Sequence, residues 1–283
     1  MASNLRVVTL NFWGTQPPLE RRIEIAARQL SALGPDVVCL QEVQHHAGRT
    51  TATLLAERLG MHAYYAMACE WAGGQEGLAI LARAKCDDVR VLPLPEPRLA
   101  DARILLSAHV ATDGGPIWVH TTHLHYRLDD GIAREKQVIA IDEAIRALGR
   151  DKDSAPQILC GDFNATPDSD EMRFLRGLTT LAERRTHFQD AWLRLHRESQ
   201  PGDGPLEGIT WSSENGFTRP LRSLDIDRRI DYVFVTSRKK DGRATVHASH
   251  VVMTEREGQG ADEICASDHY GVMADVQVVP NPS

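Results

Sequence analysis

Residues 158–164 read Ile-Leu-Cys-Gly-Asp-Phe-Asn, an apolar run followed at once by a carboxylate and a carboxamide. Such a run is typical of a buried strand, and Gly161 lets a ligand approach the backbone closely. Side chains two apart in an extended segment point the same way, so we expect Asp162 and Asn164 to share a face. The alternative is an Asx turn that leads into the helix start at Thr166-Pro167.

Polar side chains also stand at the ends of other apolar runs. Asn11 and Glu42 each follow such a run, and Asp268-His269 precedes one. Taken singly, these residues have plainer interpretations as a turn residue, a loop acid and a strand-entry cap. Carboxylates bind hard divalent cations and a histidine can serve as a base. If the strand ends share one rim, these groups together can form a site that binds a cation and activates water.

Two histidines extend this set. Asp231 begins an apolar strand, and an aspartate there can hold the imidazole of His269 in one tautomer. His123 ends the strand predicted at Ile117–Thr122. By strand alternation, one of His123 and His125 faces inward and the other faces solvent.

Glu76 and Arg103 each precede a predicted strand. A carboxylate, a histidine and an arginine near one rim can orient a phosphate and stabilise its charge. If Glu76 pairs with His123, its negative charge should raise the pKa of His123. Trp211 lies in a predicted long loop at 199–228, where it either stacks on a substrate or anchors the loop.

Composition narrows the class of protein. The chain has 283 residues, of which 42% are hydrophobic and 25% charged, as in a soluble globular protein. No apolar run is long enough to span a membrane, no signal peptide is predicted, and the five cysteines form no C-x-x-C pair. We therefore expect a cytoplasmic protein. The net charge of −7 argues against tight nonspecific binding to duplex DNA.

The order of elements predicts the architecture. Helices are predicted at Leu19–Leu33, Thr50–Leu59, Ile132–Leu148 and Ser169–Leu178, between short strands that include Asp36–Leu40. Hairpin-like strands mixed with crossover helices favour two packed sheets flanked by helices. No linker divides the chain, so we predict one catalytic domain over residues 1–283.

The ensemble of motifs resembles the endonuclease/exonuclease/phosphatase superfamily, which includes deoxyribonuclease I and exonuclease III-type abasic-site endonucleases. The resemblance covers Leu5 to Val278 and rests on TLNFW, LQEV, THLHY, CGDFN, RIDYVFV and SDHYGV. It implies the deoxyribonuclease I-like fold, a four-layered α/β sandwich with two mixed sheets. It also implies phosphoester hydrolysis by water with a divalent cation, Mg²⁺ or Mn²⁺.

The resemblance also implies roles for individual residues. Glu42 is the main metal ligand, with Asn11 and Asp268 nearby. Asp162 orients or deprotonates the attacking water, and Asn164 contacts the phosphate. His269, paired with Asp231, is a base or a phosphate stabiliser. His123 is a catalytic histidine with Glu76 as its carboxylate partner, and Arg103 contacts the phosphate.

The motifs are closest in character to neutral sphingomyelinases and bacterial phosphatases of the superfamily. We therefore predict a monomeric phosphohydrolase of a small-molecule or head-group phosphoester. The alternative is a metal-dependent nuclease or DNA-end phosphodiesterase acting on DNA or RNA, and a Thr-Trp pair like Thr210-Trp211 also occurs in tyrosyl-DNA phosphodiesterases. A binding module without turnover is disfavoured by the intact set of catalytic residue types.

Overall fold

The computed structural model describes residues 4–71, 74–95, 102–149, 154–196 and 208–281. Within these residues the chain forms two β-sheets and five α-helices. The strands are β1 (Asn4–Asn11), β2 (Val37–His46), β3 (Arg49–Thr50), β4 (His62–Trp71), β5 (Gly74–Ala82), β6 (Asp88–Pro93), β7 (Ile104–Val110), β8 (Ile117–His123), β9 (Gln157–Asp162), β10 (Phe188–Asp190), β11 (Asp231–Thr236), β12 (Val246–Val252) and β13 (Gly271–Gln277). The helices are α1 (Leu19–Leu33), α2 (Thr51–Leu59), α3 (Gly131–Ala147), α4 (Asp170–Leu175) and α5 (Ala191–Leu195).

Both sheets contain parallel and antiparallel pairs. The first sheet has the strand order β12-β13-β1-β2-β5-β4, with β3 paired to β2, and the second has the order β10-β11-β9-β8-β7-β6. β1 runs parallel to β2 and antiparallel to β13, and β9 runs parallel to β8 and antiparallel to β11. The central strands of the two sheets face each other, with β1 and β2 against β9.

Three apolar clusters hold four layers together. On β1, Val7 lies between the two sheets, whereas Val8 packs beneath α1 and α2. On β9, Cys160 lies between the sheets and Leu159 packs beneath α3 and α4. Strands that are buried on both faces need apolar residues at every position, which explains their continuous apolar runs. The predicted four-layered α/β sandwich with two mixed sheets is confirmed.

Local capping chemistry sets the ends of the first two helices. α1 occupies the predicted residues Leu19–Leu33, and Gly34 ends it in the left-handed conformation with its N–H donated to Leu30 O. At the start of α2, the Thr50 side chain accepts a hydrogen bond from the backbone N–H of Thr53. Both arrangements satisfy backbone groups that a helix end leaves unpaired.

Other boundaries differ from the prediction. β2 continues to His46 instead of ending at Leu40, because a bulge lets its pairing with β5 resume. The helix predicted at Ser169–Leu178 ends at Leu175, and Gly177 follows with φ 77°. The short β10 and α5 were not predicted, since elements of this length carry too little periodicity.

The predicted long loop is only partly described. Residues 199–207 lie outside the described residues. From residue 208 to 228 the chain is irregular, apart from a 3₁₀ helix at Arg219–Leu221 and a bridge between Trp211 and Arg228. None of the helices among the described residues has the length and apolarity needed to cross a membrane.

Candidate active site

Several strands of the facing sheets present polar side chains at one rim of the sandwich. On β1, Val7 lies between the sheets, so strand alternation brings Asn11 to the same space. In the second sheet, the strand register places Asp162 of β9 between His123 of β8 and Asp231 of β11. The two sheets therefore contribute to a single cluster, as the sequence predicts.

Asp162 is the centre of this cluster. Its Oδ2 atom lies 3.0 Å from Asn11 Nδ2, 3.5 Å from His123 Nε2 and 3.9 Å from His269 Nε2. Its Oδ1 atom accepts a 2.9 Å hydrogen bond from the backbone N–H of Asn164. The residue is 1% exposed. One carboxylate oxygen thus faces nitrogen atoms from three segments that are distant in the sequence, which a local cap or turn does not require.

Glu42 enters the site through a bulge in β2. The register of β2 with β5 shifts between Leu40 and Val43, and Glu42 has φ 51°. Such a bulge breaks strand alternation and re-aims a side chain. The Glu42 carboxylate accepts a 2.9 Å hydrogen bond from Asn11 Nδ2. Glu42 therefore lies within β2 rather than at its end, which corrects the prediction.

Asn164 follows a turn and not an extended strand. β9 ends at Asp162, and Asn164 has φ 51° while its N–H donates to the Asp162 carboxylate. The expectation that the two side chains share a face of an extended segment is wrong, because the Asx-type interaction turns the chain. Asn164 Nδ2 donates to Leu124 O at 3.1 Å, so its side chain remains beside the second sheet.

Three non-glycine residues of this region have left-handed backbone conformations. The φ angles of Trp13, Glu42 and Asn164 are 57°, 51° and 51°. Each such residue costs on the order of 1 kcal/mol or more, so surrounding contacts must hold it in place. Three of the eight non-glycine residues with positive φ among the described residues thus lie next to Asn11 and Asp162.

The site gathers carboxylates that disfavour one another's charge. Desolvation, followed by the charges of Asp268 and Glu76, raises the pKa of Glu42 to about 8. Burial and the charge of Asp231 raise the pKa of Asp162 to about 6. Burial also raises the pKa of Asp268. Carboxylates in such surroundings gain free energy when a cation binds.

His269 forms the predicted pair with Asp231. Its Nδ1 atom lies 2.9 Å from Asp231 Oδ2. Burial opposes the charge of the imidazole, but Asp231, Asp268 and Asp162 together raise the pKa of His269 well above its ordinary value. Thr210 Oγ1 accepts hydrogen bonds from the N–H groups of Ile230 and Asp231, which fixes the start of β11. The charges of these three acids favour the protonated form of the imidazole.

His123 lies beside Asp162 instead of pairing with Glu76. Burial, followed by the positive charges of Arg103 and His269, lowers the pKa of His123 well below its ordinary value. The expected increase is wrong, because desolvation and neighbouring cations both disfavour a second charged imidazole. His125 is also buried at 1% exposure, since β8 ends at His123 and alternation stops there.

Glu76, Arg103 and His123 nevertheless line one small cavity beside the cluster. Glu76 Oε2 accepts a 2.8 Å hydrogen bond from Gln44 Nε2, and Arg103 is buried. The three residues come from β5, from the segment before β7 and from β8, so only the packed sheets bring them together. A carboxylate, an arginine and a histidine are thus grouped beside Asp162.

Trp211 forms part of the wall behind the site. Its side chain is 8% exposed, and the Arg228 guanidinium carbon lies 5.0 Å from the ring centroid. Its backbone bridges to Arg228 and to His269. This burial favours the anchoring interpretation, and the predicted contact with substrate stays a prediction.

Two further residues support the site and were not singled out from the sequence. Gln44 Oε1 accepts hydrogen bonds from the N–H and hydroxyl of Thr15, which links the loop after β1 to Glu76. Arg22 is fully buried on α1. The sequence carries a signal for Arg22, because it stands four residues before Ala26 on the apolar face of that helix. Gln44 follows the unpredicted bulge and had no such signal.

The donor chemistry fits a divalent cation. Glu42, Asp268 and Asn11 offer oxygen atoms, and the raised pKa of both carboxylates shows that their negative charge lacks sufficient compensation. Asp162, Asp231 and His269 form a second group whose ligand atoms all lie within 4.8 Å of one another. Residues around the cluster can thus hold a metal ion, whose identity the side chains do not specify.

The sequence matches a known family over most of its length. Residues 8–269 match the endonuclease/exonuclease/phosphatase family. Human protein angel homolog 2 is 29% identical over 164 residues, which cover 53% of this chain and 29% of that protein. The chain therefore spans less than a third of the length of this curated relative.

Solved structures share the fold. An endonuclease/exonuclease/phosphatase from Beutenbergia cavernae DSM 12333 superposes with a TM-score of 0.71 at 25% identity, covering 98% of this chain and 72% of that one. Humanized D. rerio TDP2 has a TM-score of 0.71 at 21% identity, covering 96% of this chain and 98% of that one, and shows the fold alone. Because the family match covers residues 8–269, the chain belongs to the endonuclease/exonuclease/phosphatase family, whose members generally depend on divalent metal ions.

Proposed function

We propose that this protein uses activated water and a divalent cation to cleave a P–O bond of a small-molecule or head-group phosphoester. The observation that carries the proposal is the surrounding of Asp162 Oδ2 by Asn11, His123 and His269. A buried carboxylate with this many nitrogen neighbours is suited to hold a water molecule or a phosphate oxygen between it and the histidines.

Glu42, Asn11 and Asp268 are the proposed ligands of Mg²⁺ or Mn²⁺. A bound divalent cation would withdraw negative charge from the phosphate and stabilise the leaving oxygen. The pKa of about 8 supports Glu42 as a ligand, because its carboxylate would release a proton when a cation is bound. Asn11 Nδ2 donates to Glu42 and Asn11 Oδ1 accepts from the N–H of Trp13, so a bound cation would share the amide oxygen with that N–H.

Asp162 is the proposed acceptor of the proton from the attacking water. With a pKa of about 6 it is ionised at neutral pH and can still take up a proton during the reaction. Hydrogen bonds from Asn11 Nδ2 and from the Asn164 N–H hold its two oxygens in fixed directions. A fixed direction favours proton transfer from one water position.

His269 is proposed to stabilise the phosphate rather than to act as the base. Its raised pKa keeps the imidazole protonated at neutral pH, and Asp231 holds the ring by Nδ1 so that Nε2 faces Asp162. A cation in this place opposes the negative charge that builds up on phosphorus-bound oxygens. Arg103, Asn164 and a neutral His123 are proposed as further phosphate contacts.

Ion pairs in the surrounding loops support a small substrate over a nucleic acid. Arg127 pairs with Asp129, Arg228 pairs with Asp225, and Arg219 pairs with Glu263. Arginines that are neutralised by neighbouring acids contribute little to a track that follows a phosphate backbone. The net charge of −7 points the same way.

The organisation of the chain is proposed on similar support. The family match extends over residues 8–269 and one apolar cluster joins both sheets, which supports one catalytic domain over residues 1–283. The monomeric state and the cytoplasmic location stay predictions.

A substrate panel tests the proposal. Purified protein with Mg²⁺ or Mn²⁺ is offered bis-p-nitrophenyl phosphate, sugar phosphates, phospholipids, plasmid DNA and abasic-site oligonucleotides. We expect turnover of a small or head-group phosphoester that exceeds nuclease activity, and its loss in Asp162→Asn but not in Asp36→Asn. Preferential cleavage of DNA or RNA would favour the nuclease alternative, and an undiminished rate in Asp162→Asn would remove Asp162 from the mechanism.

A further inference from the structure

We propose that Arg22 is a positioning residue of the active site. Its buried guanidinium ties the loop after Asn11 to the segment before Asp268, and so fixes the spacing of two groups from opposite ends of the chain. The inference rests on the proposed function in so far as Asn11 and Asp268 serve the cation.

The hydrogen bonds of the Arg22 guanidinium all go to backbone carbonyl groups of these two segments. Its guanidinium donates to the carbonyl oxygens of Phe12, Trp13 and Gln16 in the loop after β1, with 2.6 Å to Gln16 O and 3.5 Å to Trp13 O. Its Nε atom donates to Ala266 O at 3.2 Å. The guanidinium carbon also lies 5.1 Å from the ring centroids of both Phe12 and Trp13. One side chain therefore crosslinks two segments that no strand pairing joins at this point.

The first segment passes this restraint to Asn11. Trp13 has φ 57°, and its N–H donates to Asn11 Oδ1 at 3.0 Å. That bond orients the amide so that Nδ2 reaches both Glu42 and Asp162. A strained turn keeps its shape only where its surroundings hold it, and Arg22 binds the carbonyl groups on both sides of Trp13.

The second segment passes the restraint to Asp268. Ser267 follows Ala266, and its hydroxyl lies 2.6 Å from Asn11 O and 3.2 Å from Asp268 Oδ1. A shift of Ala266 would therefore move both the serine bridge to Asn11 and the Asp268 carboxylate. Arg22 and Ser267 together make the two segments one unit.

Other buried arginines of the site region differ from Arg22 in their partners. Arg134 pairs with Glu171, and Arg229 pairs with Asp190. Among the described residues, the hydrogen bonds of Arg22 go to carbonyl oxygens only. Although burial lowers the pKa of Arg22 to about 10, it stays cationic, and its charge favours the ionised forms of Asp268 and Glu42. The charge of Arg22 thus adds to that of His269 beside the proposed cation site.

Substitution separates positioning from simple stabilisation. Arg22→Lys keeps the charge but lacks the fork that reaches several carbonyl groups. The control is Arg6→Met, because Arg6 bridges Asp275 and Leu33 O at the end of β1 opposite to Asn11. Turnover, the Mg²⁺ concentration for half-maximal activity and the Mg²⁺-induced rise in melting temperature are measured where circular dichroism shows each variant folded.

We expect Arg22→Lys to lower turnover about 10- to 100-fold, the scale of a misplacement near 1 Å. It should also raise the Mg²⁺ requirement and shrink the thermal shift, whereas Arg6→Met lowers the melting temperature alone. Wild-type turnover and Mg²⁺ response in folded Arg22→Lys would overturn the inference, and so would its failure to fold, which assigns Arg22 to stability.

Glu42→Gln, measured alongside, keeps the two proposals distinct. If Glu42→Gln leaves the Mg²⁺ response unchanged, the proposed cation site is wrong. If Glu42→Gln weakens that response and Arg22→Lys does not, only the role of Arg22 is wrong.

Discussion

The two ends of strand β1 differ in how the charges of the nearby acids are compensated. At one end, Arg6 donates to both carboxylate oxygens of Asp275 at 2.7 and 2.8 Å, and its backbone N–H donates to Asp36. At the other end, Asn11 is the neutral group that reaches both Glu42 and Asp162. At the Arg6 end an arginine pairs with the carboxylate of Asp275, whereas at the Asn11 end the carboxylates raise one another's pKa.

This difference separates a stabilising arrangement from a functional one. Paired charges at the Arg6 end lower the free energy of the folded protein. Repelling carboxylates at the Asn11 end raise it, and they persist because both sheets and the Arg22 crosslink hold them. Perturbed carboxylates of this kind are typical of sites that bind a cation or move a proton. This difference between the two ends can be tested by removing the cation, the proton acceptor or the repulsion between the carboxylates.

Removal of divalent cations should have the largest effect. We expect EDTA to abolish hydrolysis, because the carboxylates of Glu42 and Asp268 would then face a negatively charged phosphate without compensation. Excess Mg²⁺ should restore the rate and raise the melting temperature; saturation at 100 times the Kd corresponds to about 2.7 kcal/mol of added stability. Undiminished turnover in a metal-free buffer would contradict a metal-dependent reaction.

Replacement of the proton acceptor should have the next largest effect. Asp162→Asn should lower turnover by roughly 100-fold or more, the usual scale for a positioned acid–base group. The variant should fold, because the amide oxygen still accepts one of the two hydrogen bonds that Asn11 and Asn164 donate, and only the other is lost. Steady-state kinetics with circular dichroism checks both points. Asp275→Asn, at the opposite end of the sheet, should retain the wild-type rate.

The dependence on pH should report the ionisation of Asp162. Its pKa is raised to about 6, so kcat/KM should fall as the pH drops below about 6 and the carboxylate becomes protonated. The charge of His269 lowers that pKa, so His269→Gln should move the acid limb to higher pH as well as reduce the rate. A limb that stays at the same pH in His269→Gln would show that another group limits the reaction.

Neutralising a single carboxylate should have the smallest effect, which is on the free energy of unfolding. The sign of that change should differ between the two ends of β1. The pKa of Glu42 is raised from an ordinary value near 4.5 to about 8, so the folded state binds the proton more tightly than the unfolded state. Without metal, stability contributed by protonated Glu42 is present below about pH 4.5 and is lost as the pH rises toward 8.

Urea titration in EDTA at pH 8 should therefore find Glu42→Gln more stable than wild type. We expect a gain of at least about 1 kcal/mol, because one pKa unit corresponds to about 1.4 kcal/mol and the pKa of Glu42 is raised by more than one unit. Asp275→Asn should instead lose on the order of 1–2 kcal/mol, because it breaks hydrogen bonds to a charged arginine. Destabilisation by Glu42→Gln at pH 8 would show that the acids at the Asn11 end do not repel one another.

The sequence was sufficient for much of the fold. Continuous apolar runs identified strands buried on both faces, and the glycines Gly34 and Gly60 marked helix ends, because these signals act over a few neighbouring residues. The sequence was insufficient where a long-range contact changes a local preference. The bulge at Glu42 and the brief elements β10 and α5 depend on pairing with strands elsewhere in the chain.

The candidate site likewise has features that the sequence determined and features that depend on long-range contacts. The sequence by itself determined which residue types stand near strand ends, and the order of Asn11, Glu42, Asp162 and Asp268-His269 carried the family resemblance that implies phosphoester chemistry. Only the tertiary structure decided that His123 turns to Asp162 and not to Glu76, and that Arg22 joins the two segments beside the site. The physical reason is that ionisation and orientation depend on desolvation and on the charges that packing brings within a few ångströms, whereas the identity of a side chain is local.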